Sequence, residues 1–208
     1  MDYRTVEQEA RAEIIEKKSR FIAELYPVSS EEEVLGVLEK VRKKYWDARH
    51  HCWAFVIGKE QPLERCSDDG EPSGTAGKPI LEVIRGAELR NVLIVVTRYF
   101  GGTLLGTGGL VRAYTASSKE AVAAAEVVVK ISGYKLKIKT DYTGLGKIQY
   151  LLAQRGLEIV DSEYAENVIL YILISKEDEQ GIIKELTEAT NAQAEIERAE
   201  ACIFSAKV

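Results

Sequence analysis

Hydrophobic and polar positions in the first half of the chain predict strands that alternate with helices. Residues 13–26 carry scattered apolar side chains among charges, and they predict one long strand. Residues 30–44 begin with a Ser-x-x-Glu capping box and then have apolar side chains at i, i+3, i+4 and i+7, which predicts a helix. Continuous apolar runs over 51–57 and 92–97 predict buried strands, because a strand covered on both faces needs no polar alternation.

Two further helices complete this half. Residues 78–88 have Pro79 in their first turn, where a missing N–H costs nothing. From residue 110 to residue 124, small and apolar residues recur at helical spacing, so this helix can lie close to a sheet. We expect the first domain to end near Lys130, with Ser132 and Gly133 as the linker.

The second half predicts the order βαββαβ. Tyr134, Leu136 and Ile138 alternate with three lysines, which indicates a strand with one buried and one solvated face. The other elements are a helix around 145–152, strands over 157–163 and 168–174, a helix around 182–186 and a closing strand over 194–207. This is the ferredoxin-like pattern. The sequence therefore predicts an α+β protein with two domains, 1–130 and 131–208.

Composition and charge narrow the classes of partner. With 46% hydrophobic and 29% charged residues in 208, the chain can bury a core. Its formal net charge of −5 has the wrong sign for a protein that coats nucleic acid. We therefore expect only local contact with RNA and no sequence-specific DNA binding. The longest aliphatic run, 92–96, is far shorter than the ~20 residues of a membrane span, and no secretory signal opens the sequence. Three widely spaced cysteines suit a reducing compartment, so we expect a cytoplasmic protein without membrane contact.

The loop at 67–79 carries three carboxylates and a run of small residues before a helix. Asp68, Asp69 and Glu71 suit a divalent cation or acid/base chemistry, but their spacing is not that of an EF-hand, and a plain turn has the same composition. We therefore expect no bound metal. The run 73–77 offers backbone N–H groups that could cradle an anion, although a helix cap alone explains the same residues.

The glycine turn, residues 101–109, follows the second buried strand and has five glycines in nine residues. Gly101 and Gly106 have the spacing of a phosphate loop, but Thr107 stands where a Walker loop needs lysine, so nucleotide hydrolysis is not expected. Two arginines and two aromatic residues flank the turn. They could bind phosphate and stack on a base, or hold a protein loop. The aromatic residues equally suit the core.

The pair His50–His51 before Cys52 suggests a metal ligand or a nucleophile and its base. Adjacent strand residues point to opposite faces, so the two histidines cannot share one site on the strand. The chain has only two histidines, and no catalytic triad follows from them. A structural or hydrogen-bonding role for His51 is favoured, and we assign no catalytic residue.

Three long segments identify the chain as a member of the IMPACT/YigZ family by resemblance. They are residues 49–54, residues 68–79 and residues 96–114, and the likeness covers about 17–125. The remainder resembles the small second domain of the bacterial members. The resemblance implies a first domain like ribosomal protein S5 domain 2 and a second like the last domain of elongation factor G. Eukaryotic relatives restrain a stress-activated kinase of translation initiation by competing for its activator, but we expect no activator-binding domain like theirs here, so that link is not carried over.

These observations favour a protein that binds RNA, the ribosome or a translation factor, with no cofactor. The alternatives are a hydrolase-type enzyme that uses Asp68, Asp69 and Glu71 with His51, and a protein-only adaptor. The oligomeric state stays open. The candidate binding residues are His51, Asp68, Asp69, Glu71, Ser73, Gly74, Thr75, Lys78, Arg98, Tyr99, Phe100, Gly101, Gly102, Gly106, Gly108, Gly109 and Arg112.

Overall fold

The computed structural model describes residues 2–207 and shows two compact units, Tyr3–Val129 and Lys130–Ala206. The first unit contains β1 (Tyr3–Val6), β2 (Ala10–Glu16), β3 (Ser19–Pro27), α1 (Glu31–Lys44), β4 (His50–Ile57), β5 (Leu63–Ser67), α2 (Gly77–Gly86), β6 (Val92–Tyr99) and α3 (Thr107–Ala123). Among these residues and those of the second unit, no helix has both the length and the apolar character needed to cross a membrane.

The first unit is built on a five-stranded sheet in the order β2-β3-β6-β4-β5, with antiparallel neighbours throughout. Strand β6 is central and its two faces are both covered, as its continuous apolar run predicts. Val95 packs with Leu38 of α1 on one face. Ile94 packs with Ile84 of α2 and Tyr114 of α3 on the other.

The predicted helix α1 is confirmed together with its cap. The Ser30 hydroxyl accepts a hydrogen bond from the Glu33 N–H at 3.2 Å. The Glu33 carboxylate reaches back to the N–H of Ser29 at 2.6 Å, one residue earlier than a standard capping box has it. The first bond satisfies an N–H group that a helix start leaves without an intrahelical partner, and the second ties the residue before the cap to the first turn.

The second unit has the predicted ferredoxin-like order. Its elements are β7 (Val127–Thr140), α4 (Tyr142–Gln154), β8 (Ile159–Tyr164), β9 (Val168–Ser175), α5 (Glu179–Ala189) and β10 (Glu195–Lys207). Within this unit β9 pairs with both β7 and β8, and β10 pairs with β7. Leu136 and Ile138 of β7 are fully buried, and the three alternating lysines lie on the other face, where they pair with glutamates of β10: Lys135 with Glu200, Lys137 with Glu197 and Lys139 with Glu195.

The prediction of one long strand over residues 13–26 is wrong. Glu16 pairs with Ser19, so β2 and β3 form a hairpin whose two turn residues are Lys17 and Lys18. Both lysines have left-handed backbones, with φ of 46° and 67°. Such turns usually carry Asn-Gly, because other residues pay a steric cost at positive φ. A Lys-Lys turn therefore gives no turn signal in the sequence.

The prediction of a linker at Ser132 and Gly133 is also wrong. Both residues lie inside β7, and Gly133 pairs with Ser175 of β9. A Cβ atom on Gly133 would lie 1.9 Å from the carbonyl oxygen of Ile174. The glycine is there because two backbones approach closely, which is the other common reason for glycine within a strand.

We expect Gly133→Ala to lower the free energy of unfolding by about 1–3 kcal/mol, because the added methyl forces the two strands apart. Gly36 provides the matched control. It lies within α1, and a methyl group added there would meet no atom within 4 Å, so Gly36→Ala should raise stability by about 0.5–1 kcal/mol. Urea denaturation measures both. Equal effects of the two changes would contradict the close approach at Gly133.

Candidate functional site

The two chemistry-bearing segments leave the sheet of the first unit at the same end. The antiparallel register places Arg98, near the end of β6, opposite His50, the first residue of β4. Tyr99 lies opposite Arg20, at the start of β3. Strand β5 ends at Ser67 on this side as well. The carboxylate loop and the glycine turn are therefore neighbours in space, together with the β2–β3 turn.

A buried ion pair joins the carboxylate loop to the end of β6. Arg98 Nη1 lies 2.6 Å from Glu71 Oε1, and the side chains are only 7% and 3% exposed. The Tyr114 hydroxyl of α3 donates to the same oxygen at 2.8 Å. The Arg98 guanidinium also lies 5.4 Å from the ring centre of Phe21 and 5.7 Å from that of Phe100. One carboxylate thus connects a loop, a strand and a helix.

Cys52 extends this buried cluster. Its Sγ lies 2.9 Å from the Asp68 carbonyl oxygen and 3.3 Å from the Tyr114 hydroxyl oxygen. Burial raises the pKa of the Cys52 thiol to about 12, and burial likewise raises the pKa of Tyr114. A thiol that stays protonated at neutral pH is a poor nucleophile. The cluster is therefore suited to packing and hydrogen bonding rather than to covalent chemistry.

The anion cradle predicted at residues 73–77 holds a carboxylate of the chain itself. Asp68 accepts hydrogen bonds from the N–H groups of Ala76 at 3.0 Å and Gly77 at 2.8 Å through Oδ1, and from that of Gly74 at 2.8 Å through Oδ2. Burial alone would raise the pKa of Asp68, but the three N–H donors outweigh it and lower the pKa. Asp68 thus serves as the anion at the start of α2.

Asp69 and the two histidines form a separate set of contacts. Asp69 Oδ2 accepts from the His51 N–H at 2.6 Å, and Oδ1 lies 3.4 Å from Arg42 Nη2. The His51 Nδ1 lies 3.1 Å from the Thr97 hydroxyl, and burial lowers the pKa of His51, which favours neutral imidazole. The three carboxylates therefore bind three different sets of donors. In residues 2–207 no group of three or more His, Cys, Asp or Glu side chains is placed to hold a metal ion.

The glycine turn packs against the β2–β3 turn. The Gly101 N–H donates to Ser19 Oγ at 3.1 Å, and a Cβ on Gly101 would lie 2.1 Å from the carbonyl carbon of Lys18. Gly102 and Gly106 have positive φ, 82° and 72°, and face open space. Only glycine adopts the conformations of Gly102 and Gly106 without strain. At Gly101, only the absence of a side chain allows the two turns to come this close.

The candidate residues divide into a buried group beneath the surface and an exposed rim. His51, Glu71, Thr75 and Arg98 are buried, and Thr75 Oγ1 donates to the Pro72 carbonyl at 2.6 Å. The exposed members are Ser73, Gly74, Lys78, Phe100, Gly102, Gly106, Gly108 and Arg112. Asp68, Asp69, Tyr99, Gly101 and Gly109 are partly exposed.

Lys17 and Lys18 join this rim, and sequence reasoning missed them. Both side chains are exposed, and Lys17 lines a cavity of about 190 Å³ with Arg112, Leu105 and Glu16. Within the described residues, no carboxylate pairs with Lys17, Lys18 or Arg112. The only signal in the sequence was a Lys-Lys pair inside what looked like a continuous strand.

Comparison with known proteins assigns the family. Residues 17–122 match the Impact N-terminal domain, and residues 138–193 match a domain of unknown function, DUF1949. The chain belongs to the IMPACT family. IMPACT family member YvyE of Bacillus subtilis is 39% identical over 198 residues, 95% of this chain and 91% of that protein. IMPACT family member YigZ of Escherichia coli is 39% identical over 160 residues, 76% of this chain and 78% of its own length.

A solved structure supports the fold of this IMPACT family chain. The crystal structure of a hypothetical protein aligns with a TM-score of 0.62 and 32% identity, and covers 96% of this chain and 98% of its own. The Impact N-terminal match begins at Lys17 and includes Arg112 and Tyr114. The whole candidate site, both the buried group and the exposed rim, lies within this one domain.

We expect Arg98→Gln to lower the free energy of unfolding by about 3–5 kcal/mol, because it leaves the buried Glu71 carboxylate without its cation. Arg112→Gln removes the same charge from an exposed position and should change stability by less than about 0.5 kcal/mol. Urea denaturation compares the two variants. Similar small effects would contradict a supporting role for the ion pair.

Asp68 should make stability depend on acid pH. A carboxylate whose pKa is lower in the folded state contributes stability above its unfolded pKa, near 3.9, and loses that contribution as pH falls through the folded value. We therefore expect Asp68→Asn to be less stable than the wild type at pH 7 and the difference to narrow below pH 4. The same deficit at both pH values, measured by denaturation, would show that the Asp68 charge does not stabilise the start of α2.

Proposed function

We propose that this protein binds RNA, including RNA of the ribosome, through a basic rim formed by Lys17, Lys18 and Arg112 around the glycine turn. The carrying observation is that these three exposed cations lack carboxylate partners within the described residues and lie beside a turn in which Gly102 and Gly106 face open space. Phosphate oxygens are natural ligands for such cations and for exposed backbone N–H groups.

The acidic residues of the region do not cancel this rim. Glu71, Asp68 and Asp69 each accept hydrogen bonds from within the protein. Glu16 shares the rim cavity with Lys17 and Arg112, and its single negative charge is outweighed by the three cations of the rim. A chain of net charge −5 can thus present a locally basic surface, and that favours contact with one segment of RNA over coating of a long one.

Arg98 supports the rim from below. It is paired with Glu71 and lies against the ring of Phe100, the residue just before the glycine turn. We assign to it the positioning of Phe100 and the turn, and we assign phosphate contact to Arg112. The same reasoning gives Thr75 and His51 supporting roles, because both are buried.

A role in translation is part of this proposal. The support is the chain's membership of the IMPACT family, whose resemblance implies a first domain like ribosomal protein S5 domain 2 and a second like the last domain of elongation factor G. Fold kinship of this kind indicates a setting rather than a reaction. The three carboxylates are engaged with separate internal donors, and no observation favours hydrolysis over binding.

The triple variant Lys17→Gln, Lys18→Gln and Arg112→Gln tests the proposal. If each cation neutralises one phosphate, the slope of log affinity against log salt should become shallower by about 2.1–2.7. The measurements are fluorescence anisotropy with a labelled RNA over a salt series and co-sedimentation with ribosomes. The melting temperature should stay close to that of the wild type, because all three side chains are exposed.

The matched control removes the same charge elsewhere, through Lys59→Gln, Lys119→Gln and Lys147→Gln, at three exposed positions. It should keep most of the affinity and the original salt slope. Equal losses in both variants would show that total charge, and not the rim, governs binding. Absence of RNA and ribosome binding by the wild type would reject the proposal in favour of a protein-only adaptor.

A further inference from the structure

Trp46 is an exposed tryptophan in a basic turn. It keeps 82% of its surface in solvent, in the segment that follows α1, where the Ala48 N–H donates to the Tyr45 carbonyl at 3.0 Å. Arg42, Lys43, Lys44 and Arg49 lie within four residues of it. Large aromatic side chains usually bury most of their surface. Proteins that bind unpaired nucleotides use this combination, an exposed aromatic ring for the base and cations for the phosphates.

This turn is attached to the same sheet end as the glycine turn. The Tyr99 hydroxyl donates to Asp47 Oδ1 at 2.7 Å. Asp47 directly follows Trp46, and Tyr99 directly precedes Phe100, which is itself 52% exposed. Two solvated aromatic side chains therefore lie next to the two partners of one hydrogen bond.

Internal ion pairs place the basic turn, and one cation is left for a ligand. Lys44 Nζ binds the buried Glu24 carboxylate at 2.6 Å, and Arg42 lies 3.4 Å from Asp69. These contacts hold the end of α1 against the sheet and the carboxylate loop. Arg49 is exposed and pairs with no carboxylate of the described residues, so its charge is available.

We propose that unpaired RNA bases stack on Trp46 and Phe100, while Arg49 and the basic rim bind the phosphates that connect them. This proposal rests on the proposed function and narrows its ligand to single-stranded RNA. Bases in an A-form duplex are stacked on each other and cannot be laid on an aromatic side chain, whereas unpaired bases can. Stacking of this kind tolerates any sequence, because every base has a flat π-face.

The chain provides its own spectroscopic probe. It has two tryptophans, and Trp53 is half-buried and stacked on Phe55 with 5.8 Å between ring centres. Trp53→Phe therefore leaves Trp46 as the sole indole. We expect a 12-nucleotide unstructured RNA to quench its fluorescence on binding. A duplex of the same length and an abasic ribose-phosphate chain should leave the fluorescence unchanged.

Affinity provides the second measurement. Trp46→Ala should weaken binding of the unstructured RNA roughly tenfold, within the range for loss of one stacked base, without changing the salt slope. It should leave binding of the abasic chain unchanged, and Trp46→Phe should restore part of the affinity. Tyr150→Ala is the matched control, because Tyr150 is 67% exposed and lies in the second unit. Circular dichroism verifies that each variant is folded.

The outcomes separate this inference from the proposed function. RNA binding that depends on the basic rim, without quenching and without an effect of Trp46→Ala, would overturn stacking and leave the proposed function intact. Equal quenching by duplex and unstructured RNA would overturn the assignment to unpaired bases. No RNA binding under any condition would overturn both proposals together.

Discussion

The ion pair between Arg98 and Glu71 is the constraint on which the site depends. Two charges with almost no solvent exposure are stable together only if hydrogen bonds and Coulomb attraction offset their lost hydration. Tyr114 contributes one such bond and ties α3 to the pair. Because the three residues belong to a loop, a strand and a helix, the pair determines where the carboxylate loop lies and which residues of the glycine turn reach the surface.

The internal use of the carboxylates decides what the surface offers. Asp68 caps α2, Asp69 binds the His51 backbone, and Glu71 binds Arg98, so the most acidic stretch of this region directs its charge inward. The exposed side chains near the glycine turn include Lys17, Lys18, Arg112 and Phe100, with Glu16 as the acidic side chain of the rim cavity. Under the proposed function, a protein of net charge −5 binds phosphate at this surface, and the glycines allow the backbone to approach the ligand closely.

Periodicity predicted most elements correctly, because burial determines both the spacing of apolar residues in the sequence and the type of element that they form. The continuous apolar run of β6, the cap of α1 and the alternation in β7 each have one physical cause, and the structure confirms them. The sequence pattern did not predict the hairpin turn at Lys17 and Lys18, because lysine is an unusual residue at positive φ. It did not predict strand β5, because that strand is largely solvated and polar. For the site, the motifs identified both segments, but partners such as Arg98 and Glu71, 27 residues apart, are joined only by tertiary structure.

Hydrogen–deuterium exchange of the full chain, with and without a saturating unstructured RNA, tests most directly whether one end of the first sheet is the binding surface. We expect slower exchange in the β2–β3 turn, in the turn after α1 and in the glycine turn, with little change in α2 or the second unit. Protection confined to the second unit, or spread evenly over the chain, would contradict binding at this end of the sheet.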